Sequence, residues 1–273
     1  MDTASAASGA PTPQHPRQRD AYAAAVEGQL PNRAGITESA GVAGTAPTGR
    51  AVIAGVTVVW ARTDAVDPVR SSAYSWLTAS ERARLEGMSD VAADETLLGR
   101  YLVRVLAAEA MGCAADAVVV TATCPTCGRE HGRPRVVVPL VGLPARAPGL
   151  PLAGPRAHTT FPAPEVSLAH AGGLVVAACS PTARGPVDGT TTDSPRPRAI
   201  GVDTEPVPPD ATRHEVATLR AWTQREAVAK AEGTGIVVEH GPDVVARYVL
   251  HDVPTPGAVT SLAVAGAGST SPA

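Results

Sequence analysis

The sequence predicts an α+β fold made of two similar lobes. Three observations lead there. A strand–helix–strands order occurs twice, once on each side of a Gly/Pro/Thr-rich connection over 180–197. With 273 residues, 44% of them apolar, the chain can bury a sizeable core. Aromatics are only 3%, with a single Phe, so that core must be built mainly from Val, Leu and Ala.

The elements follow in order. Residues 1–50 are rich in Ala, Gly, Pro, Thr and Ser, and they cannot bury enough apolar surface to offset chain entropy. They read as a disordered tail. The N-terminal lobe is then 51–182, and the C-terminal lobe is 183–273. Val52, Ile53, Val56, Val58, Val59 and Trp60 predict a strand over 52–60. Thr78 and Glu81 have capping-box spacing, so a helix starts there. Leu98, Leu102, Val105 and Leu106 fall at helical spacing, and Gly112 is a stop. A strand is expected over 118–122, and an irregular insertion over 140–164. The apolar stretch 166–179 holds Gly172 and Gly173, which predicts a hairpin or a strand entered by a turn. A short strand over 199–204, a helix over 213–232 ending at Gly233, and strands over 244–253 and 259–265 complete the reading.

A net charge of −3 argues against non-specific nucleic-acid binding. The first 20 residues lack a secretory pattern, and the apolar run 51–61 is far too short to span a bilayer. A cytoplasmic protein with neither membrane nor nucleic-acid partner is expected.

Chemistry concentrates in a few places. Asp203 and Glu205 lie two apart on a predicted strand, so their carboxylates share a face. Paired acids repel unless a proton or cation lies between them, and Mg²⁺ suits oxygen ligands near phosphate. Two solvated acids at a strand end would give the same pattern. Glu226 and Lys230 share a helix face, which fits either a site or a plain ion pair. Thr223 and Glu226 also have capping-box spacing. His170, beside an apolar strand, is either structural or a phosphate contact. Gly132, Arg133 and Pro134 make either a turn or a phosphate grip. Cys124, Cys127 and His131 would bind zinc only with a fourth ligand. No second C-x-x-C pair follows, so two thiols in a turn is the reading adopted.

Together these motifs resemble the Sfp-type 4′-phosphopantetheinyl transferases. The likeness runs from about Val52 to Gly268. It includes the strand ending at Trp60, the Leu-Leu-Gly-Arg-Tyr-Leu-Val-Arg helix, Gly132-Arg133-Pro134 and Leu168-Ala169-His170. Its most specific parts are Gly201-Val202-Asp203-Thr204-Glu205, and Trp222 through Lys230 followed by Gly233 and Gly235.

The resemblance implies a pseudo-twofold pair of lobes with coenzyme A, the substrate, in the cleft between them. It implies that Asp203, Glu205 and Glu226 hold Mg²⁺, and that the C-terminal lobe carries this metal site. Glu226 and Lys230 would be catalytic, with Lys230 also meeting the pyrophosphate. His170 would contact the 3′-phosphate, and Arg133 and Pro134 would line the nucleotide side. Arg82 and Arg84 lie near where the family places basic residues for the 3′-phosphate. The acceptor would be a serine of an acyl or peptidyl carrier protein, and one chain would suffice as a monomer.

Four departures from the family pattern stand out. Ala169 and Ala171 flank His170 where serines are usual. Arg225 replaces the commoner lysine, and Glu95 stands near a position where a basic residue is common. The connection from Glu205 to Trp222 is short, which bears on carrier choice. The rivals are a coenzyme-A- or carrier-binding relative with weakened turnover, and a zinc-stabilised interaction protein.

Overall fold

The computed structural model describes residues 37–38, 48–124, 127–129, 132–137, 163–181, 198–234, 238 and 240–266. Most of the predicted tail, the insertion and the 180–197 connection lie outside these residues.

The chain is mixed α+β. Its elements are β1 (Thr37–Glu38), β2 (Thr48–Ile53), β3 (Val56–Arg62), α1 (Arg70–Ser75), α2 (Ala79–Leu85), α3 (Asp90–Met111), β4 (Val119–Thr121) and β5 (Arg135–Val137). They continue with β6 (Glu165–Ala171), β7 (Leu174–Ser180), β8 (Ile200–Pro206), α4 (Arg213–Glu232), α5 (Pro242–Val245), β9 (Tyr248–Val253) and β10 (Ala258–Ala265). The order in one sheet is β1-β2-β3-β7-β6 and in a second β8-β10-β9, while β4 and β5 form a separate ribbon.

The two larger sheets share a connectivity. In the first, β3 leads through α3 to the β6–β7 hairpin, and β7 pairs back onto β3. In the second, β8 leads through α4 to β9 and β10, and β10 pairs back onto β8. Every pairing among these strands is antiparallel.

Strand alternation explains the layers. Val59, Ala61, Val175, Ala177 and Cys179 point to α3 and join Leu98, Leu102 and Leu106 in one core. Val56, Val58, Trp60, Val176 and Ala178 point the other way, and meet Ile200, Val202, Leu262 and Val264 of the second sheet. The opposite face of the second sheet packs on α4 through Ala227, Val228 and Ala231. The sheets therefore stack face to face, with one long helix outside each. Burial pushes the Cys179 thiol up to about 12, so it stays protonated in the first core.

Helix boundaries follow the chemistry of their ends. Thr78 and Glu81 form the expected capping box on α2. Glu81 is only 6% exposed and also accepts from Arg104 at 2.7 Å, which ties α2 to α3. Gly112 ends α3 in the left-handed conformation, φ 69°.

Several expectations need correction. Residues 48–50 belong to β2, and Thr37–Glu38 pairs with it, so the first sheet reaches into the predicted tail. The single strand over 52–60 is a hairpin: Ala54 and Gly55 both have positive φ, 52° and 81°, as a two-residue turn demands. The strand over 244–253 starts only at Tyr248, because Gly241, Pro242 and Asp243 open a short helix. Among the described residues, no helix is long and apolar enough to cross a membrane.

Candidate functional site

The site forms where β8 lies against α4. On β8, Ile200 and Val202 are fully buried between the sheets, so Gly201, Asp203 and Glu205 face the helix. Gly201 is required there, because a Cβ would collide with the backbone of Ala227 and Ala231. That close approach brings the acids of the strand under the helix.

Glu226 and Lys230 come from one face of α4, a turn apart. Neither ordinary explanation of Glu226 survives. The capping box of α4 is Thr212 with Glu215, and Thr223 and Glu226 are interior to the helix. Lys230 pairs with Asp203 across to β8: its Nζ donates to Asp203 Oδ1 at 2.7 Å. The same ammonium reaches the Leu168 carbonyl on β6 at 3.4 Å, so it spans both sheets. Glu226 is 3% exposed and Asp203 is 8% exposed.

Burial sets the electrostatics. The Glu226 carboxyl is pushed up to about 7, first by burial and then by the neighbouring Asp203 charge. Asp203 is also raised by burial, against the opposing pull of Lys230. Asp203 Oδ2 and Glu226 Oε1 are buried with no hydrogen-bond partner among the described residues. Two partnerless acid oxygens, with Glu205 on the same strand face, are a donor set suited to a hard cation. Oxygen donors are the type that Mg²⁺ takes. Among the described residues, no group of three or more His, Cys, Asp or Glu side chains is placed to hold a metal ion. Mg²⁺ ordinarily keeps several waters and substrate phosphate oxygens, so an open set is compatible with it.

A second cluster lies at the β6–β7 turn. His170 Nδ1 is 2.9 Å from Glu95 Oε2, and Glu95 Oε1 accepts from the Gly173 backbone N–H at 3.0 Å. The Arg62 guanidinium reaches the Gly172 carbonyl at 3.4 Å. The sequence marks Glu95 only as a departure from the family pattern, and nothing in it marks Arg62. Glu95 and His170 are 75 residues apart, and no local spacing could have linked them.

The remaining candidates are placed differently. Arg133 donates to Glu165 Oε2 at 2.6 Å and to the Ala231 carbonyl at 3.1 Å. It therefore ties β6 to the C-terminal end of α4, where a cation is favoured. Pro134 follows it, half-buried, before β5. Arg82 lies over the Tyr74 ring, 5.7 Å from its centroid. Arg84 lines a small cavity with Leu77, Glu81 and Arg100. Arg225 stacks over Trp222 at 5.8 Å. Cys124 and Cys127 sit in a turn closed by Gly128 N–H donating to the Cys124 carbonyl at 2.8 Å. His131 lies outside the described residues.

No family model matches the chain, and no curated protein matches it.

Proposed function

We propose that this chain is a phosphopantetheinyl transferase that moves the phosphopantetheine arm of coenzyme A to a carrier-protein serine. The observation that carries the proposal is the pair of partnerless buried oxygens on Asp203 and Glu226, beside a lysine that spans both sheets. An exposed ion pair would leave Glu226 in solvent, and the cap of α4 is Thr212 with Glu215. The order of motifs from Trp60 to Lys230 supports the same reading. The connectivity common to the two sheets supports pseudo-twofold lobes. In this reading coenzyme A binds in the cleft between them.

In this reading Asp203, Glu205 and Glu226 hold Mg²⁺. When bound, the ion offsets the charge of the pyrophosphate and orients it. Lys230 leaves Asp203 in part to meet the pyrophosphate, and its charge grows more useful as the leaving group gains negative charge. Glu226 takes the proton of the carrier serine hydroxyl. The serine oxygen forms a bond to the phosphorus nearer the pantetheine arm. The pyrophosphate bridge then breaks and adenosine 3′,5′-bisphosphate departs. His170 holds the 3′-phosphate, remote from the bond that changes. Arg133 acts as a strut between β6 and α4, shaping the nucleotide side from behind.

One observation favours a second reading. Ala169 and Ala171, which flank His170, supply no hydroxyl to a phosphate. That suits a coenzyme-A-binding relative with weakened turnover. The test separates the two. The protein is incubated with coenzyme A, Mg²⁺ and several apo carriers, and the carriers are weighed. The transferase reading expects the phosphopantetheine mass on at least one carrier. Tight coenzyme A binding with no carrier modified would leave the second reading, and no binding would refute both.

A further inference from the structure

Glu95 reaches from α3 to the β6–β7 turn and uses both oxygens there. Oε1 takes the Gly173 backbone N–H at 3.0 Å, and Oε2 lies 2.9 Å from His170 Nδ1. Gly172 and Gly173 both have positive φ, 58° and 75°, which glycine adopts without strain in the turn that Glu95 grips. The Glu95 side chain is 12% exposed and that of His170 is 44%, so the acid lies beneath the ring. An ionised carboxylate only accepts hydrogen bonds. The ring proton must therefore sit on Nδ1 for this contact to form. Nε2 is left as the nitrogen that no described residue engages.

We infer that Glu95 is a positioning residue: it holds His170 in one orientation and one tautomer, and so presents Nε2 to an anionic ligand. A lysine or arginine at this position could accept neither bond. A glutamine could keep the ring contact through its amide oxygen. It would lose the Gly173 bond, because its other atom is a donor. For a phosphomonoester, Nε2 can act as an imidazolium donor or can accept from a phosphate hydroxyl. Either way ring and phosphate share one proton, and the ring must be held still for that geometry to recur.

The inference rests on the coenzyme A reading only in its binding arm. The first arm is long-range ¹H–¹⁵N NMR of the full chain, recorded well above the ordinary histidine titration range. Wild type and E95Q should show a fixed Nδ1–H tautomer for His170, and E95A should show an averaged one. Identical nitrogen shifts in wild type and E95A would overturn the inference. The second arm is calorimetry with coenzyme A and dephospho-coenzyme A. E95A should bind coenzyme A about tenfold more weakly than E95Q, as when other histidine-orienting carboxylates are lost. The gap should close for dephospho-coenzyme A, which lacks the 3′-phosphate. Equal or tighter coenzyme A binding by E95A would overturn the inference. If wild type binds no coenzyme A, the transferase reading fails, and the nitrogen spectra alone decide the role of Glu95.

Discussion

Replacing Glu226 with Gln separates a functional acid from a structural one by the sign of its effect on stability. The carboxyl is raised from an ordinary 4.5 to about 7, chiefly by burial and then by Asp203. A raised acid favours the fold while protonated. Its stabilisation is fully present below pH 4.5 and is lost as pH rises through about 7. At about 1.4 kcal/mol per pKa unit, the ionised form costs the fold on the order of 3 kcal/mol. Wild type without metal should therefore lose roughly that much between pH 4.5 and pH 8. Glu226→Gln should flatten most of this slope and be the more stable protein at pH 8. A slope of the same sign should remain from Asp203, which is raised in the same direction. Denaturant titrations at several pH values, with chelator and with Mg²⁺, provide the assay. Mg²⁺ should stabilise wild type at pH 8 and do little for Glu226→Gln, because a ligand stabilises only the state that binds it. A wild-type stability that is flat with pH, or a Gln variant equally destabilised at every pH, would refute the reasoning.

Two further outcomes test the frame around the site. Gly201→Ala should cost about 3 kcal/mol or more, because its methyl meets the backbone of α4 where nothing flexible can give way. Thermal unfolding checks it, and an unchanged Tm would mean that α4 does not sit so close to β8. Ala54→Asn should stabilise the β2–β3 hairpin by about 0.5 kcal/mol, since Asn tolerates the left-handed region better than Ala. Equilibrium denaturation reads this directly, and a destabilised variant would argue against the two-residue turn.

The parts of the fold that were legible in the sequence were those with local causes. Alternation on β8 put Asp203 and Glu205 on one face, and Thr78 with Glu81 marked the start of α2. The β2–β3 turn escaped notice because Ala54 carries no sign of its positive φ inside an apolar run. The start of α5 was readable from Pro242 and Asp243 but was outweighed by the valines that follow. The site divides in the same way. The spacing of Glu226 and Lys230 was visible, yet the partner of Lys230 is Asp203, 27 residues away on another element. The latch between Glu95 and His170 depends on α3 packing over the β6–β7 turn, which no short-range pattern encodes.

The three acids of the proposed metal site give the most direct test of the transferase function. The measurement is the mass of an apo carrier, already shown to be modified by wild type, after incubation with coenzyme A, Mg²⁺ and each of Asp203→Ala, Glu205→Ala and Glu226→Gln. Circular dichroism confirms in the same samples that each variant is folded. Wild type should add the phosphopantetheine arm, while all three folded variants should leave the carrier at its apo mass or nearly so. A folded variant that modifies the carrier at close to the wild-type rate would contradict it.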